Sequence, residues 1–158
     1  MKKVLIALDF DPTAQKVAEA GYFLAKAMNA EVTLIHVVAD VTYYSAYSVL
    51  DTYPSTGIMG IQGMEAAHLF DNSLKDAMSR FLEKSKTHLG DKEIKTIVKE
   101  GDFGKAILKT AEEMKANVIV MGSHSRRWLE NIIMGSVTEE VLRKSTVPLF
   151  IVPTKKKD

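Results

Sequence analysis

Residues 118–142 carry the arrangement with the clearest chemical potential in this chain. A buried-type β run, Val118-Ile119-Val120-Met121, empties into a small-residue turn at Gly122, and a second pair, Gly135-Ser136, opens an amphipathic helix. Glycines let main-chain N–H groups approach a ligand without a Cβ in the way, and a helix N-terminus adds unpaired donors and a positive dipole end. Two such turns in one segment suggest an anion site, with phosphate as the natural guest. Ser136-Val137-Thr138-Glu139 matches the Ser-x-x-Glu capping box, which as a cap alone requires no ligand. Arg126 and Arg127 follow the first turn and offer either guanidinium forks for phosphate oxygens or a solvated surface pair. Asp9, ending the first apolar run, can cap the following turn, hold a ribose hydroxyl, or reach a Mg²⁺ ion carried by phosphate. No metal site built from protein ligands alone is expected.

Other chemistries find less support. Gly101-Asp102-Phe103-Gly104-Lys105 has two residues between its glycines where a P-loop has four, so it reads as a strand-to-helix turn. His36, His68, His88 and His124 show no paired metal-ligand spacing, and no Gly-x-Ser-x-Gly nucleophile elbow occurs. The absence of cysteine excludes disulfides, thiolate metal sites and cysteine nucleophiles and fits a cytoplasmic setting.

The elements that would position these residues alternate. Apolar runs at 4–8, 32–38, 94–99, 118–121 and 147–152 read as strands, the first two as strands buried on both faces. Helical spacing appears at 13–29, with Pro12 suited to the first turn, then from 74 to 89 with Gly90 as C-cap, at 103–115, and after Ser136. Asp11 is placed to serve the start of the first helix. Pro148 lacks a donor and suits an edge or a strand start. Such alternation predicts a parallel sheet covered by helices on both faces, a doubly wound α/β fold whose ligands sit beyond the carboxyl ends of the strands. Asp9, residues 37–40 and Gly122 all lie at such ends and converge on one candidate crevice.

With 158 residues, 46% of them hydrophobic, the chain fits one domain with a real core, over 1–153. Residues 39–68, with four tyrosines and glycines at 57, 60 and 63 but no sustained period, are expected to form a long connection, either a lid or partner surface or an ordered flap. Residues 154–158 form a basic tail read as a frayed terminus. A net charge of +1 gives no general pull toward nucleic acid or an anionic membrane, so neither is an expected partner. The apolar run after Met1-Lys2-Lys3 stops at Asp9, too short for a signal peptide or a membrane span.

Taken together, the 118–124 run, Gly135-Ser136-Val137-Thr138-Glu139 and the apolar run 147–152 resemble the universal stress protein family, and the resemblance extends to 4–9, 34–37 and the Gly101 turn with Ile107 and Ala111. It implies an open five-stranded, Rossmann-like parallel sheet of the adenine nucleotide alpha hydrolase-like type, in the order 3-2-1-4-5. The ATP-binding branch of that family carries Gly-x2-Gly-x9-Gly-Ser/Thr, which reads here as Gly122, Ser125, Gly135 and Ser136, with serine in place of the second glycine. The resemblance implies that Asp9 and Val37 hold adenine and ribose, that Ala7 lines the site and that Met121 and Gly122 border the nucleoside. Ser125, Gly135, Ser136 and Val137 would surround the phosphates. ATP with Mg²⁺ is the implied cofactor. A homodimer through the last strand, at 149–152, is the implied assembly.

The expected function is that of a cytoplasmic, nucleotide-dependent regulator or switch in stress response. No general base is evident beside the phosphates, so any ATPase activity would be slow or partner-triggered. The alternative is a nucleotide-independent dimeric module that uses the tyrosine-rich 40–68 segment to hold a protein partner.

Overall fold

In a computed structural model, the described parts of the protein are residues 1–39, 59–123 and 134–154, with backbone alone for 59–71. Five strands, β1 (Lys2–Ala7), β2 (Ala30–Val38), β3 (Lys95–Glu100), β4 (Val118–Gly122) and β5 (Leu149–Val152), form one sheet in the order β3-β2-β1-β4-β5, every pair parallel. Four helices lie between them among the described residues: α1 (Ala14–Ala27), α2 (Met59–Leu89), α3 (Phe103–Glu113) and α4 (Ser136–Lys144). The doubly wound parallel sheet expected from the alternation is the observed one.

Side chains on successive strand residues point to opposite faces, and both faces here are apolar. Val4, Ile6, Leu8, Val32, Leu34 and Val120 pack with Val17, Ala18 and Ala25 of α1 and Leu82 of α2. Leu5, Ile35, Val37, Ile119 and Met121 pack on the other side with Ile107 and Ala111 of α3 and Val141 of α4. Val4, Leu5 and Ile6 are each fully buried, which is why β1 reads as an uninterrupted apolar run. His36 belongs to this core. Its Nδ1 donates to the Leu8 carbonyl oxygen at 2.7 Å, which fixes the tautomer, and its ring meets Phe81 edge-on at 6.0 Å.

Several element boundaries differ from the sequence reading. α2 begins at Met59, so residues 59–68 continue a helix where a connection was expected. Gly60 and Gly63 are poor helix formers and the apolar period is missing there, which hides the first turns. Residues 40–58, with the tyrosine cluster, lie outside the described residues, and so does the tail at 155–158. Pro12 stands before the N-cap, Thr13, and is not in the first helical turn. Asp11 serves that helix start as expected: its Oδ1 accepts from the Thr13 N–H at 2.8 Å and from Thr13 Oγ1 at 2.7 Å. β5 begins at Leu149, and Pro148 just ahead of it accepts the Ile119 N–H through its carbonyl at 2.9 Å. Gly90 closes α2 with φ +70°, the left-handed C-cap expected of it.

One polar cluster pins α1 to the turn between α2 and β3. Asp91 Oδ2 accepts from Lys26 Nζ and from the Tyr22 hydroxyl, both at 2.9 Å, and its Oδ1 accepts from the Glu93 N–H at 2.9 Å. The Lys26 hydrogen bond, followed by the Glu93 and Tyr22 bonds, holds the Asp91 carboxyl below its usual range. A lowered folded pKa means that the stability it contributes is full above the unfolded value of about 4 and is lost as pH falls through the folded value. Asp91→Asn is therefore expected to lower Tm by roughly 2 °C at pH 7, with the gap to wild type closing as melts are repeated below about pH 4. A gap that stays constant into acid would show that the ion pair is not its source.

Candidate functional site

The strand order reverses between β1 and β4: the chain runs outward from β1 through β2 to β3, then crosses back to β4 and β5. In such sheets the loops leaving the two central strands diverge to opposite faces and open a crevice between them. A crevice partly open to solvent lies there. Ala7, Leu8 and Asp9 of the β1 exit, Ile35 and Val37 of β2, and Met121 and Gly122 of β4 form its floor. Thr13, Ala14 and Val17 from the start of α1 form one wall. Phe103 and Ile107 of α3 and Gly135, Val137 and Thr138 at the start of α4 complete it.

Its lining is of two chemical kinds. Ile35, Val37, Met121, Phe103 and Ile107 make one part apolar, and Phe103 and Ile107, four residues apart, share one face of α3. Phe103 is the aromatic side chain at the crevice among the described residues and remains 39% exposed. The other part, around Asp9, Gly122, Gly135 and Thr138, is polar, and two glycines there leave the backbone uncovered.

The two glycine turns are bonded to one another. The Gly135 N–H donates to the Ser123 carbonyl at 2.7 Å, and Thr138 Oγ1 donates to the Gly122 carbonyl at 2.9 Å. Gly122 and Gly135 thus line the same crevice. The expected capping box is not formed. Gly135 is the N-cap of α4, because its carbonyl accepts the first helical bond, from the Glu139 N–H at 2.9 Å, and among the described residues no side chain caps the helix. Ser136 is thus already inside the first turn, one position too far along for Ser136 and Glu139 to act as box partners. The helix N-terminus is left without a side-chain cap from the described residues at the point where it meets the crevice.

Of the residues read as nucleotide-binding, Ala7, Asp9, Val37, Met121, Gly122, Gly135 and Val137 line this one crevice. Ser136 is exposed and does not line it. Ser125 and Arg126, with Arg127 and Trp128, lie outside the described residues. The sequence reading missed Thr13, Ala14 and Val17, Phe103 and Ile107, and Thr138. Thr138 was within reach of inspection, three residues past Gly135; Phe103 read only as the start of a helix. Among the described residues no cluster of His, Asp and Glu is arranged to hold a metal ion by itself, and no helix is long and apolar enough to cross a membrane.

Thr138→Val removes the hydroxyl that holds the Gly122 carbonyl while keeping the side chain's shape. The variant is expected to lose about 1 kcal/mol of stability, read from a denaturant melt, and Thr138→Ser to restore most of it. Equal stability of Val and wild type would show that the bond contributes nothing.

A doubly wound parallel sheet with a crevice at its switch point defines a class of Rossmann-like α/β proteins. Within that class the chain belongs to the universal stress protein family, whose sequence model matches residues 1–153. It is 32% identical to universal stress protein MJ0577 of Methanocaldococcus jannaschii over 98% of this chain and 96% of that protein. It is 30% identical to universal stress protein YxiE of Bacillus subtilis, covering 95% and 97% of the two chains. The solved structure of MJ0577 superposes with a TM-score of 0.74 over 99% of this chain and 98% of that one. A universal stress protein in complex with cAMP shares the fold, with a TM-score of 0.62 at 18% identity over 98% of each chain.

Proposed function

We propose that this protein is an ATP-binding universal stress protein, a cytoplasmic nucleotide-dependent regulator or switch in stress response. The observation that carries the reading is the start of α4, which no side chain caps among the described residues, lining a crevice that also carries apolar side chains from β2, β4 and α3. Phosphate oxygens are suited to the N–H groups that no described side chain caps, and the dipole of α4 favours their charge. The apolar part, with Val37, Met121 and Phe103, suits a base, which leaves ribose beside Asp9. In this reading the Asp9 carboxylate also meets a Mg²⁺ ion carried by the nucleotide, and Ser125 and Arg126 complete the phosphate surroundings. Any hydrolysis is slow or partner-triggered.

Assembly as a homodimer through β5 belongs to the same reading. β5 is an edge strand, Phe150 on it is 40% exposed, and Leu142 of α4 is 50% exposed. An apolar edge of this kind is a pairing template that a second copy would cover.

The decisive experiment combines identification of any nucleotide that copurifies with thermal melts of the dialysed protein in ATP, ADP, AMP and cAMP, each with Mg²⁺. Saturating ATP should raise Tm by several degrees, since a ligand that binds only the folded chain stabilises it by mass action. No bound nucleotide and no shift at millimolar concentrations would overturn the reading and favour a nucleotide-independent dimeric module that acts through a protein partner.

A further inference from the structure

Residues just past the last strand of a domain commonly fray, yet Thr154 is only 7% exposed. A residue of the β4 turn is bonded to it. The Thr154 N–H donates to Ser123 Oγ at 3.1 Å, and the two hydroxyls lie 3.2 Å apart. The backbone of Ser123 is engaged as well: its N–H donates to the Val152 carbonyl at 2.9 Å, and its carbonyl accepts the Gly135 N–H at 2.7 Å. Ser123 therefore uses its amide on β5, its side chain on the segment after β5, and its carbonyl on the N-cap of α4. Lys16 of α1 holds the same segment from the other side, its Nζ donating to the Pro153 carbonyl at 2.6 Å.

Neither Ser123 nor Thr154 lines the crevice, but Ser123 directly follows one crevice glycine and bonds the other. A shift of Ser123 would move Gly122 through the chain and Gly135 through the hydrogen bond. We propose that Ser123 and Thr154 form a positioning lock, in which the residues after β5 set the spacing of the two glycine turns and so tune nucleotide affinity without touching the nucleotide. The affinity clause rests on the nucleotide reading above; the lock itself is a property of the unliganded fold. Ser123 and Thr154 are positioning residues. The lock also links the site to β5, the edge strand, because the group that fixes Gly135 is bonded on its amide side to Val152. A ligand that tightens the turns should in return tighten the Thr154 N–H, since coupling between two sites is reciprocal.

The test uses the full chain and four variants: Thr154→Val, Ser123→Ala, the double variant, and Thr154→Ser. Mg-ATP is titrated calorimetrically, and amide exchange at Gly135 and Thr154 is followed by NMR with and without nucleotide. Thr154→Val should weaken ATP about fivefold and speed Gly135 exchange in the unliganded protein. Thr154→Ser should restore both, and the double variant should be no worse than the weaker single one. ATP should slow Thr154 exchange in the wild type. Asp91→Asn, remote from the crevice, should lose stability without losing ATP affinity, which separates positioning from general loosening. Wild-type ATP affinity together with unchanged Gly135 exchange in Thr154→Val would overturn the lock. If the wild-type chain binds no nucleotide, the functional reading fails, and Gly135 exchange alone decides: acceleration in Thr154→Val supports the lock, and no change removes it.

Discussion

Gly135→Ser is expected to make the protein slightly more stable and to weaken its ATP binding at least tenfold. The two effects have one cause. Gly135 is the N-cap of α4 with φ −70° and ψ 153°, a conformation open to every L-residue, so the backbone does not require glycine there. Serine is a better cap, because its Oγ can accept from the N–H of Val137 or Thr138, which no described side chain caps in the wild type. The gain over glycine is a few tenths of a kcal/mol. In the ligand-binding reading those same N–H groups receive phosphate oxygens, and the serine side chain would occupy the mouth of the crevice as well as its donors. A tenfold loss corresponds to about 1.4 kcal/mol, a modest share of several charge-assisted hydrogen bonds. Calorimetric titration with Mg-ATP gives the first quantity and a thermal melt without ligand gives the second. A higher Tm with unchanged ATP affinity would remove the start of α4 from the nucleotide site.

The same residue shows where the sequence was legible and where it was not. The strand sequence of this fold is readable because each central strand is buried on both faces, so 4–8 is a continuous apolar run and 32–38 is broken only by Thr33 and His36. Once the strands are placed, Asp9, Val37 and Gly122 must fall at carboxyl ends, and their convergence on one crevice follows from topology. Local pattern was less dependable. Ser136-x-x-Glu139 has the composition of a capping box, but the cap position was decided by a distant contact, the Gly135 N–H on the Ser123 carbonyl, which no short-range rule contains. The first turns of α2 were hidden by Gly60 and Gly63, two residues of weak helix propensity. Phe103 was missed for another reason: it read only as the start of a helix, and its place at the crevice depends on how α3 leaves β3. Gly101 with φ +122° and the Asp102 cap, whose Oδ1 accepts the Lys105 N–H at 2.9 Å, set that exit.

Gly21→Ala is expected to destabilise the protein by about 1–2 kcal/mol, roughly 5 °C in Tm, although alanine is the better helix former. Gly21 sits in the middle of α1, where the helix lies closest to the sheet. A Cβ there would fall 2.8 Å from Ile6 Cδ1 and 3.0 Å from both Ile6 Cγ1 and Val120 Cγ1. Ile6 and Val120 are fully buried on adjacent strands and have no free volume into which to retreat. Overpacking of this kind costs about 1–3 kcal/mol, against about 1 kcal/mol gained in helix propensity, so the clash wins. Gly104 in α3 supplies the contrast. A Cβ there meets only the carboxylate end of Glu140, which can swing toward solvent with its partner Lys144, so Gly104→Ala should cost nothing measurable. The clash at Gly21 also predicts its own rescue. Ile6→Val deletes the Cδ1 atom that comes nearest, and alone it should cost about 0.5–1.5 kcal/mol by leaving a small void. In the double variant the alanine methyl fills that void, so the two changes should couple favourably by about 1 kcal/mol. The consequence reaches the site, since α1 begins with Thr13, Ala14 and Val17 on the crevice wall and β1 leads directly into Ala7 and Asp9. Pushing α1 off the sheet should therefore weaken ATP in Gly21→Ala and spare it in the double variant. Strictly additive stabilities, measured by denaturant melts of the four proteins, would mean that Ile6 and Gly21 do not meet as described.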